Sequence, residues 1–394
     1  MSLSKLILEK ANQYRDYTAQ NLSKLVQVKS LSTNEKEVIE LIRDLMHEAG
    51  FDEVRIDGLG NVIGRIGDGE RTIAIDGHVD VVDSGNLNNW TFDPFSGEIK
   101  DGFVYGRGSV DQKGGIASFI TAGRIIKEIG VLNNSKFYFV GSVMEEDCDG
   151  LCWKYIIEED KIKPDVVIIT EPTKCQIYRG QRGRMEIRVS FHGISAHGSA
   201  PERGKNAIYM AANSLLEIEK LNDRLPFDEF LGKGSLTVSQ IVSGSPSLCA
   251  VADFCSFHID RRLTWGENKE LALMQIEKVV NPFEGKVELL HYQETSFTGL
   301  KYGMEKYYPT WKMDISHPVI LKGISVYKDL FGKEPVVDKW TFSTNGVIIN
   351  GLFGIPVIGF GPGDEKFAHA PDEKIPIDDL VKASAFYALY MINS

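Results

Sequence analysis

The sequence predicts an α/β domain with a largely parallel sheet that is interrupted by a smaller α+β domain. Helix and strand patterns alternate along the first third of the 394-residue chain, as they do in α/β domains. Two strand segments in this part, Lys136–Met144 and Asp165–Thr170, are continuously apolar, which indicates a sheet covered on both faces. After Gly180 the strand segments alternate between apolar and polar residues, so a second sheet with one exposed face is expected there.

The first part of the α/β domain is predicted to cover residues 1–181. Its first 20 residues have the spacing of an amphipathic helix and lack the apolar core of a signal peptide. Ser32 and Glu35 have the spacing of a capping box at the start of a helix, and Gly130 is placed to end another. The remaining elements predicted here are a helix over Val38–Ala49, strands over Asn61–Ile66 and Arg71–Val82, and a helix over Gly114–Ile129.

The inserted domain is predicted to cover residues 182–297 and to have the βαββαβ order of a ferredoxin-like fold. Its strands are expected over Met185–His192, Ser235–Val242, Asp253–Arg262 and Lys286–Tyr292, and its helices over Asn206–Leu221 and Asn268–Val280. Residues 298–394 return to the α/β pattern and complete the first domain. They are predicted to form helices over His317–Phe331 and Asp378–Met391 and a strand over Pro356–Gly359.

Charge and cysteine content narrow the class of protein. A formal net charge of −11 disfavours nucleic acid as a partner, because phosphate binding requires clustered Lys and Arg. Five cysteines are too few for a disulfide framework and favour a reducing compartment, so the cytoplasm is predicted. Cys148 and Cys152 lack a second pair at metal-binding spacing and are interpreted as ordinary thiols. No apolar stretch reaches the roughly 18 residues that span a bilayer, so no membrane is expected as a partner.

Five short stretches place acidic residues and histidines where strands or turns of the α/β domain are predicted to end. Open α/β sheets bind their ligands at the carboxyl ends of strands. The stretches are Ala74–Asp80, Gly106–Gly114, Met144–Asp147, Thr170–Thr173 and Phe367–Glu373. Carboxylates crowded at one place would repel one another, and divalent cations are the simplest way to hold them together. The five stretches together therefore predict a metal site.

The histidines in these stretches indicate which metal is expected. His78 and Asp80 lie two residues apart on a predicted strand and therefore face the same side. The Asp80 carboxylate can fix the imidazole tautomer while the other ring nitrogen binds metal. Mixed His and carboxylate ligands suit zinc, with manganese and cobalt as alternatives. A nucleotide-binding interpretation of Gly106–Gly108 is weak, because no third glycine follows at the fingerprint spacing.

The order of these stretches resembles that of the M20 metallopeptidases and deacylases. That family includes glutamate carboxypeptidases, aminoacylases, acetylornithine deacetylase and succinyl-diaminopimelate desuccinylase, and the resemblance covers essentially the whole chain. Within that family the chain resembles the deacetylase-like branch that is sometimes called the selenium-metabolism-linked hydrolases. The resemblance implies two divalent ions, with zinc expected, held by five residues: His78 and Glu171 on one ion, Glu146 and His369 on the other, and Asp111 between them.

The resemblance also implies two residues that act on the reacting bond. Glu145 is expected to be the general base that activates a water and then protonates the leaving amine. The side chains of Glu145 and Glu146 diverge at a strand end, so one can bind metal while the other reaches the water. In the inserted domain, His197 resembles the family histidine that crosses a dimer interface and stabilises the tetrahedral oxyanion. A homodimer formed through the inserted domain is therefore expected.

On the substrate side, Arg262 lies in an Asp-x-Arg pattern that is implied to bind a substrate carboxylate with two hydrogen bonds. Its neighbour Arg261 is interpreted as a surface charge. Gly361 and Gly363 are expected to shape the substrate pocket. Asn345 is a further substrate-binding candidate, although it stands where the deacylase branches have an Asp and so offers no carboxylate to a cationic group.

The sequence therefore predicts a dinuclear zinc hydrolase that cleaves the amide bond of an N-acyl amino acid or short peptide bearing a carboxylate. Two alternatives remain open. An N-carbamoyl or ureido amidohydrolase would use the same metal pair, because it also hydrolyses a C–N bond. A non-catalytic metal-binding scaffold would be expected to lack the base, whereas Glu145 and all five ligand positions are present.

Overall fold

Ten α-helices flank the sheets of the chain, which the computed structural model describes from Met1 to Ser394. None of these helices is both long enough and apolar enough to cross a membrane. In chain order they are α1 (Leu3–Gln13), α2 (Arg15–Gln27), α3 (Lys36–Glu48), α4 (Lys113–Ile129), α5 (Leu151–Glu158), α6 (Ala207–Asp223), α7 (Lys269–Val280), α8 (Pro318–Phe331), α9 (Gly346–Ile349) and α10 (Ile377–Ile392).

The strands are, in chain order, β1 (Glu53–Ile56), β2 (Val62–Ile66), β3 (Arg71–His78), β4 (Ile99–Lys100), β5 (Phe103–Tyr105), β6 (Ser135–Ser142), β7 (Val166–Ile169), β8 (Ile177–Tyr178), β9 (Gly180–Gln181), β10 (Gly183–His192), β11 (Phe227–Asp228), β12 (Gly232–Lys233), β13 (Ser235–Gly244), β14 (Phe254–Leu263), β15 (Lys286–Leu289), β16 (His291–Tyr292), β17 (Met304–Glu305), β18 (Tyr307–Tyr308), β19 (Trp311–Lys312), β20 (Val337–Asp338), β21 (Val357–Gly359) and β22 (Lys374–Pro376).

Eight strands form the larger sheet, in the order β1-β2-β6-β3-β7-β21-β8-β20. Its centre, β6-β3-β7-β21, is parallel, and the antiparallel strands β1 and β2 extend one side. Every residue of β7 is buried, and β3 is buried from Ile73 onward. The continuous apolar runs of the sequence therefore correspond to strands covered on both faces, and they contribute to one large core with α4 and α10.

Three neighbouring parallel strands end at the same edge of this sheet. His78 is the last residue of β3 and pairs with Ser142, the last residue of β6. Glu145 follows the end of β6 by three residues, and Glu171 follows the end of β7 by two. Parallel strands that end together bring the residues that follow them into one place, so this edge assembles the side chains of the predicted metal site.

The second sheet has the order β13-β14-β10-β15, with neighbouring strands antiparallel, and β18 pairs with β10. Helices α6 and α7 pack on it and share a separate cluster of buried residues. Along β14 every second residue is buried, which explains the alternating sequence. The fold class, an α/β domain with an inserted α+β domain, is confirmed. The boundaries 1–181, 182–297 and 298–394 stay a prediction, and β18 joins the second sheet from beyond residue 297.

The capping-box prediction is wrong. Helix α3 starts directly after Glu35, whose side chain makes no hydrogen bond to the helix. Instead, the Ser32 hydroxyl donates to Asp80 Oδ2 at 2.7 Å, and Glu35 Oε1 accepts the N–H of Met144 at 3.1 Å. Both side chains therefore turn away from the helix and contact the edge of the sheet where the parallel strands end.

Candidate metal centre and active site

A cavity of about 380 Å³ lies at the edge of the larger sheet where β3, β6 and β7 end. It is strongly polar, and residues of both sheets contribute to it. Seven residues that the sequence predicts for the site line this cavity: His78, Asp111, Glu145, Glu146, Glu171, Arg262 and His369. The five sequence stretches therefore converge, although they are spread over nearly 300 residues.

Asp111 lies between the two histidines of the cavity. Its Oδ1 is 2.9 Å from His78 Nε2, and its Oδ2 is 3.2 Å from His369 Nε2. The chain reaches this position through a turn in which Gly106 and Gly108 both adopt positive φ. Each oxygen of one buried carboxylate thus faces a different imidazole, which is the arrangement that a bridging carboxylate between two metal ions requires.

The other carboxylates divide between the same two histidines. His369 Nε2 is 3.0 Å from Glu146 Oε2, and the His369 side chain is half-exposed at the cavity mouth. His78 Nε2 is 3.5 Å from Glu171 Oε1 and 3.9 Å from Glu145 Oε2. His78, Glu145 and Glu171 are almost completely buried. Glu145 is thus the more distant of the two carboxylates beside His78.

The electrostatics of the cluster favour positive charge at the two imidazoles. Burial raises the pKa of Glu145 and of Glu171 well above the usual range. Burial also opposes ionisation of Asp111, but hydrogen bonds with His369 and His78 hold its pKa below the usual range. The hydrogen bond with Asp111 is the largest influence that raises the pKa of His369, to about 10. Metal ions bound between these groups would supply the same positive charge.

The residues present fit a pair of divalent ions. Glu145 Oε1 and Glu171 Oε2 are buried carboxylate oxygens without a hydrogen-bond partner, which is unfavourable unless a cation lies beside them. Two groups of three ligand atoms lie within 4.8 Å of one another: His78, Glu145 and Glu171 form the first, and His78, Asp111 and Glu146 the second. A donor set of imidazole nitrogens and carboxylate oxygens is one that zinc accepts.

Asp80 contacts His78 through its main chain. His78 Nδ1 is 2.9 Å from the Asp80 carbonyl oxygen but 3.6 Å from the carboxylate, so the carbonyl accepts the hydrogen on Nδ1. The Asp80 carboxylate instead accepts the backbone N–H groups of Glu145 and Glu146, at 3.2 and 3.1 Å. The reason is that β3 ends at His78, two residues earlier than the alternation argument requires. Asp80 is therefore placed to orient three site residues.

Arg262 belongs to the second sheet and lines the cavity, and its guanidinium forms a bidentate ion pair with the Asp260 carboxylate. Its Nε is 2.8 Å from Asp260 Oδ1 and its Nη2 is 3.0 Å from Oδ2, which leaves Nη1 without a hydrogen-bond partner.

The interpretation of Arg261 as a surface charge is wrong, because this side chain is fully buried and forms an ion pair with Glu267. The signal was available in the sequence, since Arg261 is in phase with the inward-facing apolar residues of β14.

Replacing Arg261 with methionine is expected to destabilise the protein by about 3–5 kcal/mol, because Glu267 would stay buried without its partner. Urea unfolding followed by circular dichroism measures this change. Lys220→Met is the control, since its ion pair with Glu217 is exposed and is expected to contribute less than about 1 kcal/mol. Equal losses in the two variants would contradict a stabilising role for the buried pair.

Three predicted substrate-binding residues are not among those that line the cavity. Asn345 is 1% exposed; its Nδ2 donates to Asp76 at 2.8 Å and its Oδ1 accepts the N–H of Gly150 at 2.7 Å. This engagement argues against a direct substrate contact. A Cβ at Gly361 would lie 2.1 Å from the Glu171 carbonyl oxygen. Only glycine therefore lets the loop after β21 pack against the residues that follow β7. Gly363, at φ 84°, continues the same turn.

His197 is exposed in the inserted domain and does not line the cavity of its own chain. Its Nδ1 accepts the N–H of Ser199 at 3.1 Å, and the Ser199 hydroxyl is 2.7 Å away. Because Nδ1 accepts a backbone N–H, the ring hydrogen is on Nε2, which has no partner within the chain. The histidine is therefore held in the tautomer that can donate a hydrogen bond to another molecule.

Several contributors to the site were not identified from the sequence. Arg184 of β10 and Asp149 form an ion pair of 3.3 Å at the cavity wall, joining the second sheet to the loop after β6. Glu365 also lines the cavity and has no ion-pair partner, so a carboxylate for a cationic substrate group is available there, and not at Asn345. Arg184 directly precedes the strand predicted over Met185–His192 and belongs to β10 in the structure, so the strand prediction did not include it.

Glu373 holds the loop that carries Asp111. It is fully buried, its Oε1 accepts the N–H groups of Val110 and Asp111 at 2.8 and 3.1 Å, and its Oε2 accepts a hydrogen bond from Arg107. Glu373 follows His369 by four residues and belongs to the same sequence stretch. Its hydrogen-bond partners, however, are more than 260 residues away in sequence. No local pattern could have predicted this contact.

Comparisons with known proteins find relatives that match this chain over most of its length. The sequence profile of peptidase family M20/M25/M40 matches residues 74–393. Protein YgeY of Escherichia coli K12 is 53% identical, over 98% of this chain and 96% of its own. A succinyl-diaminopimelate desuccinylase of Wolbachia pipientis is 33% identical, over 94% of this chain and 91% of its own. Bacillus subtilis YXEP, a dinuclear metal binding peptidase from the M20 family, shares the fold with a TM-score of 0.70 at 14% identity, covering 97% of this chain and 98% of that one.

Proposed function

The chain belongs to peptidase family M20/M25/M40 and is a metallohydrolase, and from that premise we propose that it is a dinuclear zinc enzyme cleaving N-acyl amino acids or short peptides. The substrate would bear a free carboxylate. The observation that carries the proposal is the placement of Asp111 between His78 and His369, with an acidic residue beside each histidine and Arg262 in the same cavity.

We propose that His78 and Glu171 hold one ion, that Glu146 and His369 hold the other, and that Asp111 is shared. The distances of 3.5 Å between His78 and Glu171 and of 3.0 Å between His369 and Glu146 support this division. When bound, the two ions supply Lewis acidity to the amide carbonyl and to the attacking water.

Glu145 is the proposed general base. It is buried beside the ligands, and its Oε1 has no hydrogen-bond partner, so it can accept the proton of the attacking water and pass it to the leaving nitrogen. Arg262 is proposed to bind the substrate carboxylate through Nη1, while Asp260 holds the rest of the guanidinium in place.

We further propose a homodimer in which the partner subunit's His197 completes the site. Strand β13 lies at the edge of the second sheet, and its second half exposes Ile241 and Val242, so it offers a surface for a second copy. His197, which does not reach the cavity of its own chain, pairs in a β-bridge with Ala250 in the segment that follows β13. All five cysteines are free, and this supports a reducing compartment, for which we propose the cytoplasm.

Protein purified without chelators is expected to contain about two zinc ions per chain and to hydrolyse members of an N-acetyl, N-succinyl and N-carbamoyl amino acid panel. Activity is expected to disappear on chelation and to return when zinc is added. Metal analysis and the appearance of free amine measure these outcomes. Release of ammonia and carbon dioxide from an N-carbamoyl substrate alone would favour a ureido amidohydrolase. Protein that binds no divalent ion would contradict the proposal.

A further inference from the structure

The loop after β6 carries two neighbouring acidic residues of the site, and carboxylates from distant parts of the chain hold its backbone. The N–H groups of Glu145 and Glu146 donate to the two oxygens of Asp80. The preceding N–H, that of Met144, donates to Glu35 Oε1 at 3.1 Å. Three consecutive backbone N–H groups therefore end on two buried carboxylates.

Met144 is the residue where the chain turns out of β6 toward the cavity. It is fully buried and has a positive φ of 59°, a conformation that residues with a side chain adopt at a cost of about 1 kcal/mol or more. Glu35 is the only hydrogen-bond acceptor of its N–H. Without Glu35 this N–H would be buried and unpaired, so the turn would have to relax.

The buried carboxylate of Glu35 has few contacts. It makes no capping hydrogen bond to α3 and does not line the cavity. Its Oε1 also accepts the N–H of Thr33 at 2.9 Å, whereas its Oε2 has no partner. Ser32, three residues earlier, donates to Asp80 at 2.7 Å, so the segment before α3 contacts both carboxylates that hold the loop.

We propose that Glu35 is a positioning residue of the hydrolytic site, which fixes the backbone from which Glu145 and Glu146 extend into the cavity. The inference rests on the proposed function, because it connects Glu35 to the base and to a metal ligand of that site. A misplacement of about 1 Å can lower a rate by about 100-fold. Loss of a hydrogen bond that supports a metal ligand weakens metal affinity by about 10–100-fold.

Two substitutions of Glu35 separate its hydrogen bond from its bulk. Glu35→Leu fills the same space without an acceptor and is expected to lower kcat by about 10–100-fold with little change in KM, and to weaken zinc affinity by about 10–100-fold. Glu35→Gln keeps the Oε1 acceptor and replaces only the unpartnered oxygen, so it is expected to recover most of kcat and of the affinity. Kinetics on the best substrate of the acyl amino acid panel and zinc titration with a competing chromophoric chelator measure both.

Asp228→Ala is the matched control. The Asp228 carboxylate also accepts two backbone N–H groups, those of Phe230 and Leu231, and pairs with Lys312, but it lies in the hairpin of β11 and β12 and does not line the cavity. Its loss is expected to change stability alone. A Glu35→Leu protein that keeps wild-type kcat and zinc affinity would overturn the inference, as would a Glu35→Gln protein as impaired as Glu35→Leu. Absence of hydrolysis in the wild type would contradict the proposed function instead, and the zinc titration would still test Glu35.

Discussion

Replacing Glu145 with glutamine is expected to lower kcat by about 10²–10⁴-fold, the range that proton transfer by a positioned side chain contributes. Glutamine has the size of the carboxylate but cannot take a proton from water. Glu145 lies in the cavity beside His78 and Glu171 and is 4% exposed. Steady-state kinetics measure kcat, and metal analysis of the same protein is expected to show an unchanged content.

The neighbouring residue provides the sharpest comparison. Glu146→Gln is expected to lower metal content, because Glu146 lies 3.0 Å from His369 and is a proposed ligand. Glu159 is exposed directly after α5, so Glu159→Gln is expected to change neither kcat nor metal content. A metal content that falls equally in Glu145→Gln and Glu146→Gln would contradict the division of roles. Glu145 would then be a ligand, as its closeness to His78 and Glu171 allows.

The fold could be predicted from the sequence because its signals are local and repeated. The apolar run of β7 is covered on both faces, and the alternation along β14 corresponds to one buried and one partly exposed face. Gly130 ends α4 with φ 72°, as its position after the last apolar residue predicts. The spacing of apolar residues and the residues that end a helix depend only on the local sequence. They can therefore be recognised without knowing what the helix or strand packs against.

The contacts that shape the site depend on residues far apart in sequence. Ser32 and Glu35 have the spacing of a capping box, but their partners are Asp80 and Met144, and 109 residues separate Glu35 from Met144. The residue types of the cluster could be predicted, because carboxylates and histidines at strand ends already indicate a metal. The hydrogen bonds that orient them could not be predicted, because loop conformation after the strand decides which atoms meet. Asp80 is an example. The carboxylate was predicted to contact His78, but the carbonyl oxygen does so, and the carboxylate accepts the N–H of Glu145.

Replacing His197 with alanine is expected to lower kcat by about 10²–10³-fold with little change in KM, as loss of one hydrogen-bond donor to an oxyanion does. Ser199 donates to His197 Nδ1, so the ring hydrogen is on Nε2, and Nε2 has no acceptor within the chain. His192→Ala is the control, since His192 is an exposed histidine of the same domain. A change confined to KM would contradict the oxyanion role.

Mixing two inactive variants tests whether the site is shared between subunits. In a mixed dimer of Glu145→Gln and His197→Ala chains, one site would combine both defects, and the other would have an intact Glu145 and an intact partner subunit's His197. If chains pair at random, about half of the dimers are mixed and about one quarter of the wild-type activity is expected. If His197 acted within its own chain, every site would lack one of the two groups and no activity would return. Mixed dimers can be isolated with two different affinity tags, and their activity decides between these outcomes. Recovery is expected, because His197 does not line the cavity of its own chain.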